Sequence, residues 1–177
     1  GLAERLNNMN YYASKLYMND LNDMVEHSEY LQKLRGKNIL ITGATGLICS
    51  AIVDLLIMFN EQKNGNIELY IAGRNEMRID ERFGIYAQRG YFHYVKYDAT
   101  KQNKFDFNVD YILHGASNAF PEMIQSHPID TMLDNFIGMY NLLEYAAKCN
   151  AENILYISSS EVYGKKENNN PFKEDEY

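Results

Sequence analysis

The 177-residue chain has no tryptophan, only three prolines and only two cysteines, Cys49 and Cys149. One cysteine lies early in an apolar run and the other ends a predicted helix, so they build neither a disulfide framework nor a zinc pattern. The four histidines show no ligand spacing with these cysteines, so we expect no metal site. Scarce cysteine also fits a reducing, cytoplasmic setting.

Long hydrophobic runs and excess positive charge are lacking as well. The longest apolar stretch, residues 47–59, is interrupted by Ser50 and Asp54 and is too short to span a bilayer. Lys and Arg number 17 against 24 Asp and Glu, and these charges are scattered rather than gathered into a basic stripe. We therefore expect no nucleic-acid partner and no membrane partner. With 46% hydrophobic residues, the composition is that of one folded domain of ordinary size.

Apolar periodicity divides the chain at residue 36. Residues 1–36 show a helical pattern that ends near Arg35-Gly36, and we interpret them as a helical extension that packs on the domain surface or on a partner subunit. From Lys37 strands alternate with helices, which predicts an α/β fold with a doubly wound parallel sheet over 37–177. The predicted strands are 38–42, 67–72, 92–97, 109–114 and 153–158, the predicted helices are 47–59, 75–88 and 130–149, and 165–177 is predicted to be a loop.

The clearest local motif is Ile39-Leu40-Ile41-Thr42-Gly43-Ala44-Thr45-Gly46-Leu47-Ile48-Cys49-Ser50, a strand that turns through glycines into a helix. Unpaired N–H groups and the dipole at such a helix start attract a pyrophosphate. Gly43 permits the tight turn and Gly46 lets phosphates approach the backbone. Cys49 occupies the third small position, where we favour an inert packing role over a reactive thiol.

Two positions bear on the adenosine half of a dinucleotide. The second strand ends in Gly73-Arg74-Asn75, where a carboxylate for the ribose hydroxyls is expected and absent. Arg74 has three interpretations: it stacks on adenine, it binds a 2′-phosphate, or it simply faces solvent. NADP therefore remains an alternative to NAD as the cofactor. Asp98, after the third strand, is a candidate acceptor for the adenine amino group, or else a turn residue.

Small and hydroxylated residues follow the last two strands. His114-Gly115-Ala116-Ser117-Asn118 would let a flat ring lie against the backbone, and we favour a main-chain hydrogen bond for His114 over a catalytic role. The fifth strand runs into Ser158-Ser159-Ser160-Glu161-Val162-Tyr163-Gly164. Ligands bind at this edge of an open parallel sheet, although a serine-rich turn alone would be structural.

In their order these motifs resemble the extended short-chain dehydrogenase/reductases, specifically the NAD-dependent epimerase/dehydratase group that modifies nucleotide sugars. The likeness rests on residues 42–48, 114–117 and 158–164 and on Asn135 with Gly138 in the long helix. It implies a Rossmann-type domain that holds NAD tightly under a nucleotide-sugar substrate. The cofactor residues it implies are Gly43, Thr45, Gly46, Leu47, Ile48, Arg74, Asn75, Asp98, Ala99, His114, Gly115, Ala116, Ser117 and Asn135.

The resemblance also implies a catalytic Ser or Thr and a Tyr-x-x-x-Lys pair. Ser159 matches the first, but no such pair follows it, and Tyr11 with Lys15 precedes the glycine loop. By this resemblance Ser159, Ser160 and Glu161 are candidate catalytic residues, and Ser117, Asn118 and Ser159 are candidate substrate contacts. Family enzymes are about twice as long, so we expect a C-terminal substrate lobe absent from this chain and little activity without it.

Ser160-Glu161 resembles UDP-glucuronate decarboxylases and, in part, dehydratases, whereas simple 4-epimerases usually lack the glutamate. The predicted function is therefore modification of a nucleotide sugar through a 4-keto intermediate. A 4-epimerase and a non-catalytic dinucleotide-binding module stay open as alternatives. The resemblance further implies a homodimer through the helix at 130–149.

Overall fold

Five parallel strands form the centre of the computed structural model, which describes residues 11–117, 126, 128–164 and 171–175, with backbone only at Asp134, Ser160 and Glu161. The strand order β3-β2-β1-β4-β5 reverses direction between β1 and β4. This is the order of a Rossmann half-domain, which confirms the predicted fold class. The strands are β1 (Asn38–Thr42), β2 (Glu68–Gly73), β3 (Phe92–Lys96), β4 (Tyr111–His114) and β5 (Asn153–Tyr156).

Helices connect these strands and precede the first of them. They are α1 (Lys15–His27), α2 (Glu29–Lys33), α3 (Leu47–Lys63), α4 (Glu76–Phe83) and α5 (Pro128–Cys149), with 3₁₀ turns at Tyr11–Ala13, Gly84–Gln88 and Ser160–Tyr163. Within the part of the chain that the structure describes, none of them is long and apolar enough to cross a membrane. The same residues include no group of three or more His, Cys, Asp or Glu side chains placed to hold a metal.

Two predicted helices have different ends from those expected. Helix α3 continues to Lys63, beyond the expected residue 59, because the Asn60 amide closes the turn that follows: it donates to Ile67 O at 2.8 Å and accepts from Ile67 N at 2.9 Å. The helix predicted over 75–88 stops at Phe83, since Gly84 has a φ of +55° and the chain continues as a 3₁₀ turn. Strands β4 and β5 are each two residues shorter than predicted, and α5 starts two residues earlier, at Pro128.

The core lies on both faces of the sheet. Alternate residues of β1 point to opposite sides: Ile39 and Ile41 pack with α3, α4 and β2, whereas Leu40 packs with Ile112 and with Leu142 of α5. A sheet buried on both faces explains why the strands are continuous apolar runs. Leu21 and Val25 of α1 and Leu31 of α2 belong to the first of these clusters. The N-terminal helices thus share the core with α3, and the division at residue 36 stays a prediction.

A buried carboxylate connects the N-terminal segment to two helices of the sheet domain. Asp54 of α3 is fully buried and pairs with Arg82 of α4, with Oδ2 and Nη2 2.5 Å apart. The hydroxyls of Tyr12 and Tyr17 donate to its two oxygens at 2.6 and 2.5 Å. Burial and the Asp54 charge raise the pKa of both tyrosines, so both stay protonated donors. The Arg82 guanidinium also lies over the Tyr11 ring, 4.5 Å from its centroid.

Asp54→Asn tests how strongly this network stabilises the fold. The change leaves Arg82 as a nearly buried cation without its anion, so we expect the free energy of unfolding to fall by about 3 kcal/mol or more. The matched control is Glu26→Gln, which removes the charge from a half-exposed pair with Lys63 and should change the stability much less. Urea denaturation followed by circular dichroism measures both, and equal losses would contradict a stabilising role for the network.

Candidate functional site

A crevice runs along the carboxyl ends of the central strands, where the strand order reverses. Its volume is about 370 Å³, within the range of small-molecule and cofactor sites. Five short segments of chain line it, one after each of β1 to β4 and one from α5. The lining residues are Gly43, Ala44, Thr45, Gly46, Ala72, Gly73, Arg74, Asn75, Arg78, Ile79, Tyr97, Asp98, Ala99, Thr100, Gly115, Ala116, Ser117 and Asn135.

The turn between β1 and α3 brings bare backbone to this crevice. Gly43 has a φ of +67°, and a Cβ on it would lie 2.5 Å from the carbonyl carbon of Gly115. Only glycine fits here, both for its backbone conformation and for the contact with the segment after β4. Gly46 caps the start of α3, and the first turn of that helix carries no acidic residue. Unpaired N–H groups at such a helix start favour an anion.

Cys49 occupies the third small position of the motif and packs against the segment after β4. A Cβ added at Gly115 would lie 2.4 Å from Cys49 Sγ, so the sulfur occupies the space beside that glycine. Cys49 is buried, and burial raises the pKa of its thiol. Both observations favour the packing role over a reactive thiolate. The helix and the segment after β4 thus approach each other closely because a larger side chain on one side meets glycine on the other.

A second contact fixes the end of β4 against β1. Thr42 Oγ1 lies 2.7 Å from His114 Nδ1 and accepts from Ala116 N at 3.2 Å, while Gly115 N donates to Thr42 O at 3.1 Å. The hydrogen bond of His114 Nδ1 is therefore with a side chain, and the expected main-chain partner was wrong for this nitrogen. Burial lowers the pKa of His114, which keeps the ring neutral. In a neutral ring, Nδ1 can accept a hydrogen bond from the Thr42 hydroxyl.

The adenosine end expected from the sequence lies between β2 and β3. Asn75 caps α4, its Oδ1 accepting from Arg78 N at 3.3 Å. Asp98 Oδ1 accepts from the backbone N and the hydroxyl of Thr100, at 3.1 and 2.8 Å. Burial opposes ionisation of Asp98, but these hydrogen bonds and Lys101 hold its pKa below the usual range. Burial also raises the pKa of Tyr97 to about 12, and its hydroxyl has no hydrogen-bond partner among the described residues.

Helix α5 closes the crevice from the opposite side. Asn135 lines it, and Gly138, one turn further on, faces Ala99. A Cβ on Gly138 would lie 3.1 Å from Ala99 O. Glycine at this position lets α5 approach the segment after β3, which carries Asn135 to the crevice.

Most of the residues predicted for the site lie in one place. Of the predicted cofactor residues, Gly43, Thr45, Gly46, Arg74, Asn75, Asp98, Ala99, Gly115, Ala116, Ser117 and Asn135 line the crevice. Three others do not: His114 is buried behind it, and the side chains of Leu47 and Ile48 are exposed at the start of α3. For Leu47 and Ile48 the backbone N–H groups are the atoms that would meet a phosphate. The binding role of each of these residues stays a prediction.

The candidate catalytic and substrate residues follow β5 and β4. His114 and Tyr156 are paired in the sheet, so Ser117 and Ser159 each lie three residues beyond the same pair, at one edge. Ser159 does not line the crevice itself. The backbone of Ser160 and Glu161 forms a 3₁₀ turn after β5, and Asn118 lies outside the described residues. The catalytic and substrate roles of these residues stay predictions.

Several lining residues were not anticipated from the sequence. Arg78 and Ile79 reach the crevice because α4 starts at Glu76, which places both in its first turns. Arg78 thereby joins Arg74, which precedes the helix, at the same end of the crevice. Tyr97 and Thr100 flank the predicted pair Asp98-Ala99, and no periodicity marks them.

Comparison with known proteins agrees with this geometry. The model of the NAD dependent epimerase/dehydratase family matches residues 39–177, so the chain belongs to that family. The UDP-glucuronic acid decarboxylase 1 of Danio rerio is 31% identical over 139 residues, which are 78% of this chain and 31% of the relative. The UDP-glucuronic acid decarboxylase 6 of Arabidopsis thaliana is 31% identical over 79% of this chain and 38% of the relative. The resemblance inferred from the motifs is thereby confirmed.

Two solved structures of similar fold are epimerases. The UDP-N-acetylglucosamine 4-epimerase of Methanobrevibacter ruminantium M1, solved in complex with UDP-N-acetylmuramic acid, aligns with a TM-score of 0.63 and 25% identity, over 80% of this chain and 44% of that one. The epimerase Mth375 of Methanothermobacter thermautotrophicus aligns with a TM-score of 0.66 and 22% identity, over 85% and 43%. The chain therefore spans less than half the length of these relatives.

The family implies a nicotinamide dinucleotide, and the crevice fits one in three respects. A Cβ at Gly43 would fill the turn at β1, the start of α3 is free of acidic residues, and the crevice continues past the ends of β2 and β3. These features suit a pyrophosphate at the helix start and an adenosine beyond β2. Gly115 and Ala116 line the crevice on the β4 side, and their small size leaves room there for the nicotinamide ring.

Gly115→Ala tests the contact with Cys49 that shapes the crevice. The added methyl group meets the sulfur, so we expect the free energy of unfolding to fall by about 1–3 kcal/mol. Adding Cys49→Ala removes the sulfur, and the double variant should recover at least half of that loss. A double-mutant cycle measured by urea denaturation checks this coupling. Losses that simply add would show that Cys49 and Gly115 do not constrain each other.

Proposed function

We propose that this chain is the dinucleotide-binding part of an enzyme that modifies a nucleotide sugar through a 4-keto intermediate, as a UDP-glucuronate decarboxylase or a 4,6-dehydratase does. The observation that carries the proposal is the glycine-lined crevice, together with the pairing of β4 and β5 that brings Ser117, which lines it, and Ser159 to one edge. The decarboxylase relatives and the Ser160-Glu161 sequence support the choice of chemistry. The cofactor is a nicotinamide dinucleotide, NAD by the family description, with NADP left open.

Bound in the crevice, the nicotinamide would supply reversible acceptance of hydride from C4 of the sugar. The backbone after β1 holds the pyrophosphate, and Gly115 and Ala116 leave room for the ring. Ser159, beyond β5, orients the C4 hydroxyl by a hydrogen bond. Glu161 then acts after C4 is oxidised: its carboxylate takes the C5 proton in a dehydratase, or steers loss of the C5 carboxylate as carbon dioxide in a decarboxylase.

Glu161→Gln separates this role from a structural one. The amide keeps the size and hydrogen bonding of the carboxylate but loses the charge and the base, so product formation should slow by about 100-fold or more. Dinucleotide binding should stay within twofold. The measurement is carbon dioxide release from UDP-glucuronate by the complete gene product, beside turnover of UDP-glucose and deoxythymidine-diphosphate glucose. A control, Glu174→Gln, changes a carboxylate in the chain beyond this turn and should leave the rate unchanged.

The same assay addresses the two alternatives. Interconversion of 4-epimers at an undiminished rate by the Glu161→Gln variant would favour the 4-epimerase and contradict the decarboxylase and dehydratase proposals together. The structural neighbours are the observation that favours this second candidate. A non-catalytic dinucleotide-binding module predicts bound dinucleotide without turnover of any of the three sugars. A Tyr-x-x-x-Lys pair encoded downstream of the codon for Tyr177 would argue against that module.

We further propose that the complete protein is a homodimer through α5. Ile129, Met132, Phe136, Tyr140 and Leu143 follow one another at helical spacing, and all are exposed. Such a stripe along a 22-residue helix is what a second copy of the same helix would cover. Phe136, near its middle, is 71% exposed. An isologous contact would place this ring close to its own copy.

Phe136→Glu tests the dimer. A carboxylate at the centre of the interface would be desolvated opposite its own copy, so the dimer dissociation constant should rise at least tenfold, which corresponds to about 1.4 kcal/mol. Sedimentation velocity of the complete gene product over a concentration series measures it. The control is Leu16→Glu on α1, an equally exposed leucine away from α5. An unchanged dimer in the Phe136 variant would contradict this interface.

A further inference from the structure

The crevice is positively charged at the end formed by β2 and α4. Arg74, directly after β2, and Arg78, in the first turn of α4, both line it. Asp98 is the one acidic residue among the lining residues; its Oδ1 accepts two hydrogen bonds from Thr100, and its Oδ2 lies 3.5 Å from Lys101 Nζ. Glu76, in the same first turn of α4, does not line the crevice. No free carboxylate therefore lies where the adenosine ribose hydroxyls are expected.

The arginines at this end differ from the others that the structure describes. Arg35, Arg82 and Arg89 each donate to a protein oxygen: Arg35 to Lys63 O at 2.8 Å, Arg82 to Asp54 and Arg89 to Glu61 at 2.9 Å. Within the described ranges, the guanidinium groups of Arg74 and Arg78 make no hydrogen bond and no ion pair with protein. Both are exposed. Their donors are available to a ligand in the crevice.

Asn75 adds to this arrangement of donors. Its Oδ1 is occupied as the cap of α4, accepting from Arg78 N at 3.3 Å. This cap does not use the side-chain N–H groups, which are donors available to the crevice. The positive end of the α4 dipole lies at the same place. Arg74, Asn75 and Arg78 thus present donors and positive charge, and none of them carries a carboxylate.

This chemistry distinguishes the two nicotinamide dinucleotides. The 2′-hydroxyl of NAD is best bound by a carboxylate that accepts a hydrogen bond from it, whereas the 2′-phosphate of NADP is a phosphomonoester with a charge of about −1.5 to −2 at pH 7. We propose that Arg74, Arg78 and the Asn75 amide form a 2′-phosphate site, and that this chain binds NADP(H) in preference to NAD(H). The inference rests on the proposed dinucleotide crevice and departs from the family's description as NAD dependent.

Calorimetric titration of the complete gene product with NADPH and with NADH tests this site directly. We expect NADPH to bind at least tenfold more tightly at 100 mM salt. Arg74→Gln and Arg78→Gln should each weaken NADPH binding at least fivefold and leave NADH binding within twofold. Arg89→Gln is the matched control, because this arginine pairs with Glu61 away from the crevice, and it should change neither affinity. Thermal unfolding of each variant confirms that it is folded.

A third ligand separates the 2′-phosphate from the rest of the cofactor. Adenosine 2′,5′-bisphosphate should bind more tightly than adenosine 5′-monophosphate, and this difference should shrink in the Arg74→Gln and Arg78→Gln variants. Equal or tighter binding of NADH would overturn the 2′-phosphate site alone. An equal loss of NADH and NADPH affinity in the arginine variants would also overturn the 2′-phosphate site, because it would show that the arginines contact the part that both dinucleotides share. Failure of both dinucleotides to bind would instead overturn the proposed function.

Discussion

The close approach of two backbone segments at the reversal of strand order is the constraint on which the crevice depends. Gly43, in its left-handed conformation, lies against the main chain of Gly115, and Cys49 fills the space beside it. Hydrogen bonds from Gly115 and Ala116 to Thr42 hold the same two segments together. A side chain at either glycine would push α3 and the end of β4 apart and so change the shape of the crevice.

The N-terminal helices act on this arrangement through Asp54. Its carboxylate lies in the middle of α3, and its partners come from the 3₁₀ turn and α1 on one side and from α4 on the other. A buried anion is tolerated because Arg82 balances its charge and the tyrosine hydroxyls satisfy its remaining lone pairs. The network thereby fixes α4 relative to α3, and with it Arg74, Asn75 and Arg78 at the β2 end of the crevice.

Exposed apolar side chains follow one another along α5 and occur on β5 as well. The stripe on α5 is exposed, and Leu155 and Tyr156 of the edge strand β5 are exposed as well. Exposed apolar side chains on an edge strand are typical of a surface against which further polypeptide packs. This agrees with the finding that the chain spans less than half the length of the related structures.

Local patterns in the sequence predict the strand and helix order, the parallel sheet and the glycine turn, because buried apolar runs, helical periodicity and the conformational freedom of glycine are local properties. They also locate most of the lining residues, since in a parallel sheet the ends of successive strands meet at one edge. The folded chain alone reveals that Cys49 packs on Gly115, that Asp54 connects three segments, and that among the described residues Arg82 pairs with a carboxylate whereas the guanidinium groups of Arg74 and Arg78 do not. These outcomes depend on distances between segments far apart in the chain, and no local pattern encodes such distances.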